Sequence, residues 1–371
     1  MQYFMDKRNE FLQFLKEIVE IETPSHSPRA IAKLVEILER RFRELGCDTE
    51  ILDGSPHGNH LLATYGKGQE KLLILCHMDT VWEEGTLKEM PFKIEGERVF
   101  GPGIFDMKAG IAFAWFVIKA FKETNITPKY KMLVLITSDE ETGSETAHKY
   151  IEKYAQGCKA ALVLEPAGEG GALKTFRKGL GMLKVKIKGR AAHAGLDHRK
   201  GISAIKELAH FTLAAEELTD YQKGTTVNVG VIRGGTSSNV VPAEAMAEID
   251  FRFSEPAEGV RVENILRNYT PRISGTEIEV TGGIDRGPLL RTEAVQKLFE
   301  LAKNEGQKMG MELKEISAGG VSDGNFTSAM GIPTLDGLGA VGGGAHASEE
   351  HIIITESLQR MALLYRLINV I

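Results

Sequence analysis

The chain has 371 residues, 42% hydrophobic and 26% charged, with a formal net charge of −6. This is ordinary globular composition, long enough for two domains and for a core that needs no disulfide or structural metal. No run of Lys or Arg forms a basic arm, and no apolar stretch reaches the roughly 20 residues of a bilayer span, so neither nucleic acid nor a membrane is expected as a partner.

The opening segment mixes charges into an apolar pattern and predicts an amphipathic helix, not a signal peptide, with Phe11, Leu12, Leu15, Ile18, Val19 and Glu22 along one face. Pro24 to Pro28 breaks it. A second amphipathic helix is predicted from about Ala30 to Leu45 and stops at Gly46, where glycine takes the left-handed cap. The apolar runs Leu61–Tyr65, Leu72–Cys76, Met132–Thr137 and Ala161–Leu164 have the length and flanking turns of buried strands. Helices are predicted between them at Lys108–Lys122 and Glu145–Tyr154. The alternation predicts an α/β sheet covered on both faces. Cys47, Cys76 and Cys158 show no CxxC spacing and read as reduced thiols of a cytoplasmic protein.

The character changes near Lys174. Leu183–Lys188 alternates apolar and charged residues, as in an antiparallel strand with one wet face, and Thr226–Ile232, Ala245–Phe253 and Glu277–Thr281 also read as strands. Helices are predicted at Ile202–Leu218 and Gly259–Tyr269. After Gly287-Pro288 the α/β pattern returns: a helix over Thr292–Lys308, short strands near Glu315 and Thr334, and a last helix over Glu356–Asn369. The expected organisation is one α/β domain, residues 1–175 and 288–371, interrupted by a smaller α+β domain at 176–287.

The polar residues that follow the apolar strands carry the chemical signal, because open α/β sheets bind ligands at their carboxyl ends. In LLILCHMDT, His77 and Asp79 lie two apart and face one side of an extended segment, so one can bind a metal while the other orients it. An isolated HxD reads equally well as a polar strand end. In GPGIFDMKAG, Asp106 taken alone is an N-cap. In LVLITSDEETGS a strand delivers Asp139, Glu140 and Glu141 together; one acid can ligate a metal while the next acts as general base. Glu165 ends another strand, and His346 sits in a glycine-rich loop. So many carboxylates in one cleft need a large positive charge, which two divalent ions would supply. Nitrogen and oxygen ligands without cysteine suit zinc, with cobalt or manganese as alternatives.

The set HMDT, GPGIFDMKAG, SDEETGS, LEP, GRAAHAG, SNVVPAEA, DFRF, GGVSDGN and GAHASEEH resembles the M20 family of co-catalytic zinc peptidases, nearest to its glutamate carboxypeptidase branch. The resemblance implies a zinc-exopeptidase-like catalytic domain with a mixed central sheet, interrupted by a lid and dimerisation domain. It implies that His77 and Glu165 hold one ion, that Glu141 and His346 hold the other, and that Asp106 bridges them through a cis bond to Met107. Asp79 would orient His77, Glu140 would be the general base, and His193 from the lid would stabilise the oxyanion, in the partner subunit's site of a homodimer. Asn239 and Arg252 would hold the substrate carboxylate, and Gly319 and Gly320 would let backbone approach the substrate. Two departures stand out: Ala109-Gly110 where the family often has Gly-Gly, and the loop Ala167–Lys178, which carries Lys174, Arg177 and Lys178.

The implied reaction is cleavage of a peptide or N-acyl amide bond next to a C-terminal amino acid, with a small peptide or N-acyl amino acid as substrate. Aminoacylase or di/tripeptidase activity is the alternative within this class; Glu165, where aminopeptidase-like members tend to carry Asp, leans toward carboxypeptidase or deacylase. A non-catalytic small-molecule binder is the alternative of another class. Glu140 argues against it, since a binder needs no base beside its ligands.

Overall fold

In the computed structural model, which describes all 371 residues, the N-terminal amphipathic segment forms two helices, α1 (Gln2–Asp6) and α2 (Arg8–Val19), parted where Lys7 takes ψ 9°. The next helix, α3 (Pro28–Glu44), begins earlier than its apolar pattern suggests. Pro28 stands in the first turn, where a missing N–H costs nothing. The strand β1 (Asp48–Leu52) escaped the sequence reading because it is an edge strand with only Leu52 buried. Then follow β2 (His60–Tyr65), β3 (Lys71–His77) and a hairpin of β4 (Lys93–Glu95), which is exposed, and β5 (Arg98–Phe100), which buries Val99; both strands are three residues long and gave no strand signal.

A π-type turn over Ile104–Lys108 leads into α4 (Ala109–Glu123), which is apolar nearly all round and buried along most of its length. Burying Phe113 and Phe116 stabilises the fold by about 1.5–3 kcal/mol each. Next come β6 (Lys131–Thr137), α5 (His148–Ala155), β7 (Cys158–Val163) and β8 (Leu173–Arg177). α5 starts later than expected. Asp139 accepts the backbone N–H and hydroxyl of Thr146, both at 2.7 Å, and so holds the preceding residues in a loop.

The inserted part comprises β9 (Gly179–Lys188), β10 (Ala192–His193), α6 (Ala204–Glu216), β11 (Thr226–Gly234), β12 (Val240–Val241), β13 (Glu244–Phe253), α7 (Pro256–Arg267) and β14 (Glu277–Arg286). Its antiparallel sheet runs β11–β13–β9–β14. Leu183, Val185 and Ile187 of β9 join Phe211, Phe251 and Leu266 in one core, while Lys184, Lys186 and Lys188 face water. On the wet face Lys188 pairs in register with Glu244 and Glu277, which opposes unlike charges. Arg177–Pro288 and Gly319–Val321 form this compact unit; Met1–Phe176, Leu289–Ala318 and Ser322–Ile371 form the other.

The larger unit is completed by α8 (Glu293–Gln307), β15 (Glu315–Ala318), α9 (Gly324–Ala329), β16 (Thr334–Leu335), β17 (Gly342–Gly343), β18 (His351–Ile353) and α10 (Ile354–Val370). Its six-stranded sheet has the order β1–β2–β6–β3–β7–β16. β6, β3, β7 and β16 are parallel, and β1 and β2 antiparallel, so the sheet is mixed. Continuous apolar runs suit it because both faces are buried. Leu72, Ile74, Val134, Ile136 and Leu162 pack toward α2, α4 and α10, while Leu73, Leu75, Leu133, Leu135 and Val163 pack toward α5. No helix is long and apolar enough to cross a membrane.

Candidate metal centre

The central neighbours β6, β3 and β7 run parallel, with His77 opposite Thr137 and Leu75 opposite Val163, so they end at one edge of the sheet. The chain leaves β3 at His77, β6 just before Asp139–Glu141, and β7 just before Glu165. Three polar strand exits therefore converge by topology. Asp106 arrives from the turn before α4, where its peptide bond to Met107 is cis. Gly103 in that turn has φ +69°, and a Cβ there would stand 2.4 Å from Thr80. His346 comes from the loop after β17 and itself takes φ 61°.

Asp106 stands between the two histidines. Its Oδ1 is 3.2 Å from His77 Nε2 and its Oδ2 is 3.6 Å from His346 Nε2. His77 Nε2 also meets Glu165 Oε1 at 3.4 Å, and His346 Nε2 meets Glu141 Oε2 at 3.3 Å. His77, Asp106 and Glu141 offer ligand atoms within 4.8 Å of one another, and so do His77, Glu140 and Glu165. The structure thus gathers His77, Asp79, Asp106, Glu140, Glu141, Glu165 and His346, and it puts Glu140 as well as Glu141 within reach of an ion.

Asp79 is fully buried. Its backbone carbonyl accepts from His77 Nδ1 at 3.0 Å, closer than its carboxylate at 3.5 Å. The carboxylate instead accepts the backbone N–H of Glu140 at 3.2 Å and of Glu141 at 3.1 Å, with the Ser25 hydroxyl at 2.7 Å. Residue 79 therefore fixes the His77 tautomer with its main chain and the acidic turn with its side chain.

The site's electrostatics follow from crowding. Glu141 hydrogen-bonds His346 and lifts its imidazole to about 9. Burial opposes the charge on His77, but hydrogen bonds to Asp106, Asp79 and Glu165 prevail and raise it well above the usual range. Burial alone would raise Asp106; His77, with His346 and Lys174, holds it below the ordinary carboxylate range. Glu141 is raised by burial, and its Oε1 is buried with no hydrogen-bond partner. That orphaned oxygen, a carboxylate shared by two imidazoles and an all-nitrogen-and-oxygen donor set fit divalent cations, whose charge would replace that of two imidazoliums.

The other expected residues belong to the inserted unit. His193 Nδ1 accepts the N–H groups of Gly195 and Leu196, both at 3.1 Å, which leaves the neutral ring's proton on Nε2. Asn239 lies beside it: its carbonyl accepts from Ala194, and its Oδ1 from Ser237 at 2.6 Å. Arg252 makes a two-pronged pair with Asp250, both contacts at 2.8 Å. Gly319 has open space where a side chain would be, and the carbonyl of Gly320 accepts from Arg177 at 3.2 Å. Ala109 is buried at the head of α4, and a Cβ on Gly110 would meet the Leu164 carbonyl at 2.4 Å, so the second small residue is the one the packing requires. Sequence reasoning missed Ser25 and Glu350, which grip the Asp79 and Asp106 segments. The Ser25 hydroxyl donates to the Asp79 carboxylate, and three of the four donors to Glu350 are backbone N–H groups, which leave no mark in a sequence.

Residues 73–370 match the model of peptidase family M20/M25/M40. Over 98% of this chain and 89% of the relative, the sequence is 29% identical to carboxypeptidase G2 of Pseudomonas sp. (strain RS-16). It is 32% identical to acetylornithine deacetylase of Pasteurella multocida over 67% of this chain and 69% of that protein. The crystal structure of aminopeptidase PepT from Bacillus cereus superposes with a TM-score of 0.80, at 22% identity and covering 98% of both chains, which shows the shared fold. The chain belongs to peptidase family M20/M25/M40 and is a metallopeptidase similar to carboxypeptidase G2.

Proposed function

We propose that the protein is a two-metal hydrolase, with zinc as the native ion, that cleaves the amide bond preceding a C-terminal amino acid. The observation that carries this reading is Asp106, whose two carboxylate oxygens each face a different histidine. His77 and Glu165 would hold one ion, Glu141 and His346 the other, and Asp106 would bridge them. Glu141 is preferred to Glu140 as ligand because it pairs with His346 and carries the orphaned buried oxygen. When bound, the ions would lower the pKa of a water and polarise the scissile carbonyl.

The chain's own groups supply the rest. Glu140 takes the proton of the attacking water and returns it to the leaving amine. His193 presents its Nε2–H to the developing oxyanion, and its two backbone donors support that tautomer. Arg252 and Asn239 read the substrate carboxylate, and the backbone at Gly319 and Gly320 lies along the substrate. Asp250 already orients the Arg252 fork and leaves Nη1 for a second carboxylate. The inserted unit would form the homodimer; exposed Ile205 and Leu213 on α6 and Ile232 on the edge strand β11 support this. A small peptide or N-acyl amino acid is the proposed substrate, and the cytoplasm the proposed location.

The test compares an N-acyl or peptidyl substrate bearing a free C-terminus with its amide. Wild type should reject the amide, and Arg252→Ala should lower kcat/KM on the free acid by about 30- to 1,000-fold while treating both alike. Equal cleavage of acid and amide by wild type removes the carboxypeptidase reading. A deacylase is the second reading, favoured by the likeness to acetylornithine deacetylase. Preference for short N-acyl groups over peptidyl groups would select it.

A further inference from the structure

We propose that Glu350 is a positioning residue of the metal centre, whose buried carboxylate sets the spacing between Asp106 and His346. Glu350 is fully buried; the buried Lys108 ammonium is near enough to interact with it electrostatically but makes no hydrogen bond to it, donating instead to the Ile21 carbonyl. Four N–H groups donate to it. Oε2 accepts from Gly103 at 2.9 Å and from the Trp82 indole at 2.7 Å. Oε1 accepts from Phe105 at 2.8 Å and from Asp106 itself at 3.0 Å. A buried carboxylate is costly unless its lone pairs are filled, and here oriented dipoles fill them.

The geometry gives this anion a purpose beyond packing. Three of its donors belong to the turn that presents Asp106, and one of them is the N–H of Asp106. Glu350 itself closes the loop that presents His346: its own N–H reaches Ala347, and Ala347 reaches Gly344. The fourth donor, Trp82, lies three residues beyond Asp79. One side chain therefore links the segments carrying the shared carboxylate and the second histidine, neither of which belongs to a strand of the central sheet. His77, Glu141 and Glu165, by contrast, are aimed by the sheet. Loss of Glu350 should loosen the Asp106–His346 pair and spare His77 and Glu165.

The inference rests on the two-ion reading, and stepwise Co²⁺ titration with visible absorption separates the two. Wild type should take two equivalents. Glu350→Gln keeps the shape but turns an amide NH₂ toward N–H donors. It should weaken the second equivalent by about 10- to 100-fold, the usual effect of losing a group behind a ligand, and the first, which His77 and Glu165 still hold, by clearly less. kcat should fall more than KM rises. Trp82→Phe removes a single donor and should weaken the second equivalent about threefold in the same sense; it carries the test if Glu350→Gln does not fold. A general structural defect would weaken both equivalents to the same extent, and that result, or wild-type affinity for both ions in these variants, overturns the proposal. Should wild type bind only one ion, the two-ion reading fails, and the Glu350 proposal stands or falls on whether that ion binds more weakly in Glu350→Gln.

Discussion

The carboxylate of Asp79 accepts the backbone N–H of Glu141 at 3.1 Å, tying the exit of strand β3 to the acidic turn after β6. Asp79→Asn would keep one oxygen acceptor but face the other donors with an amide. It should lower kcat/KM by about 10- to 100-fold, and metal content should fall with it because the acidic turn that carries Glu141 loses its support, while the backbone carbonyl of residue 79 still holds His77. A variant with full metal content and full activity would show that the hydrogen bonds to this turn are dispensable.

Glu140 and Glu141 are neighbours in sequence, and both lie within reach of an ion. Glu140→Gln should retain the wild-type metal content and lose at least about 10² in kcat, the low end of general-base contributions. Metal analysis beside the kinetics decides the assignment: an ion lost from this variant would exchange the roles of the two residues.

Gly110 sits where α4 meets the end of β7. A Cβ there would stand 2.4 Å from the Leu164 carbonyl and 2.7 Å from the Met107 side chain. Backbone cannot yield as a flexible side chain can, so Gly110→Ala should destabilise the larger unit by about 1–3 kcal/mol despite alanine's better helix propensity. Thermal unfolding of the apoprotein measures it; an unchanged midpoint would show that α4 can shift freely.

In the inserted unit, the Arg261 guanidinium, with Thr225 and Lys223, holds the buried Glu258 carboxyl down to about 2. A carboxyl depressed in the folded state adds stability above its unfolded value, about 4.3, and loses it as pH falls toward the folded value. Glu258→Gln should therefore cost about 1 kcal/mol near neutral pH, discounted because Arg261 is partly exposed. The gap should close below about pH 4. Hydrogen exchange of the Pro256–Arg267 helix reads this; a gap constant with pH would mean that packing, not charge, holds Glu258.

Much of the site was legible because its residues follow apolar runs that could only be strands. Leu72–Cys76 announces His77, and Met132–Thr137 announces the acids behind it. The fold was legible for the same reason, wherever a strand is buried on both faces. What stayed hidden was polar or made by the main chain. β1, reading DTEIL, is a mostly exposed edge; β4 and β5 are three residues each, too short for a pattern, and only Val99 between them is buried. Glu350 lay in a noticed motif, yet its four donors belong to residues far away in the sequence. Arg252 pairs with Asp250, two residues away on the same strand, so a role with substrate must accommodate that pair.

The gathered side chains enter the sequence at 77, 106, 141, 165 and 346, with the inserted unit between the last two. A ribosome making this chain vectorially releases the central strands, four of the five side chains and then the whole inserted unit before His346 appears. During most of synthesis the nascent chain thus carries an acidic edge that no second imidazole balances. The proposed metal centre can therefore be completed only after the inserted unit has been made, when the loop that carries His346 follows it.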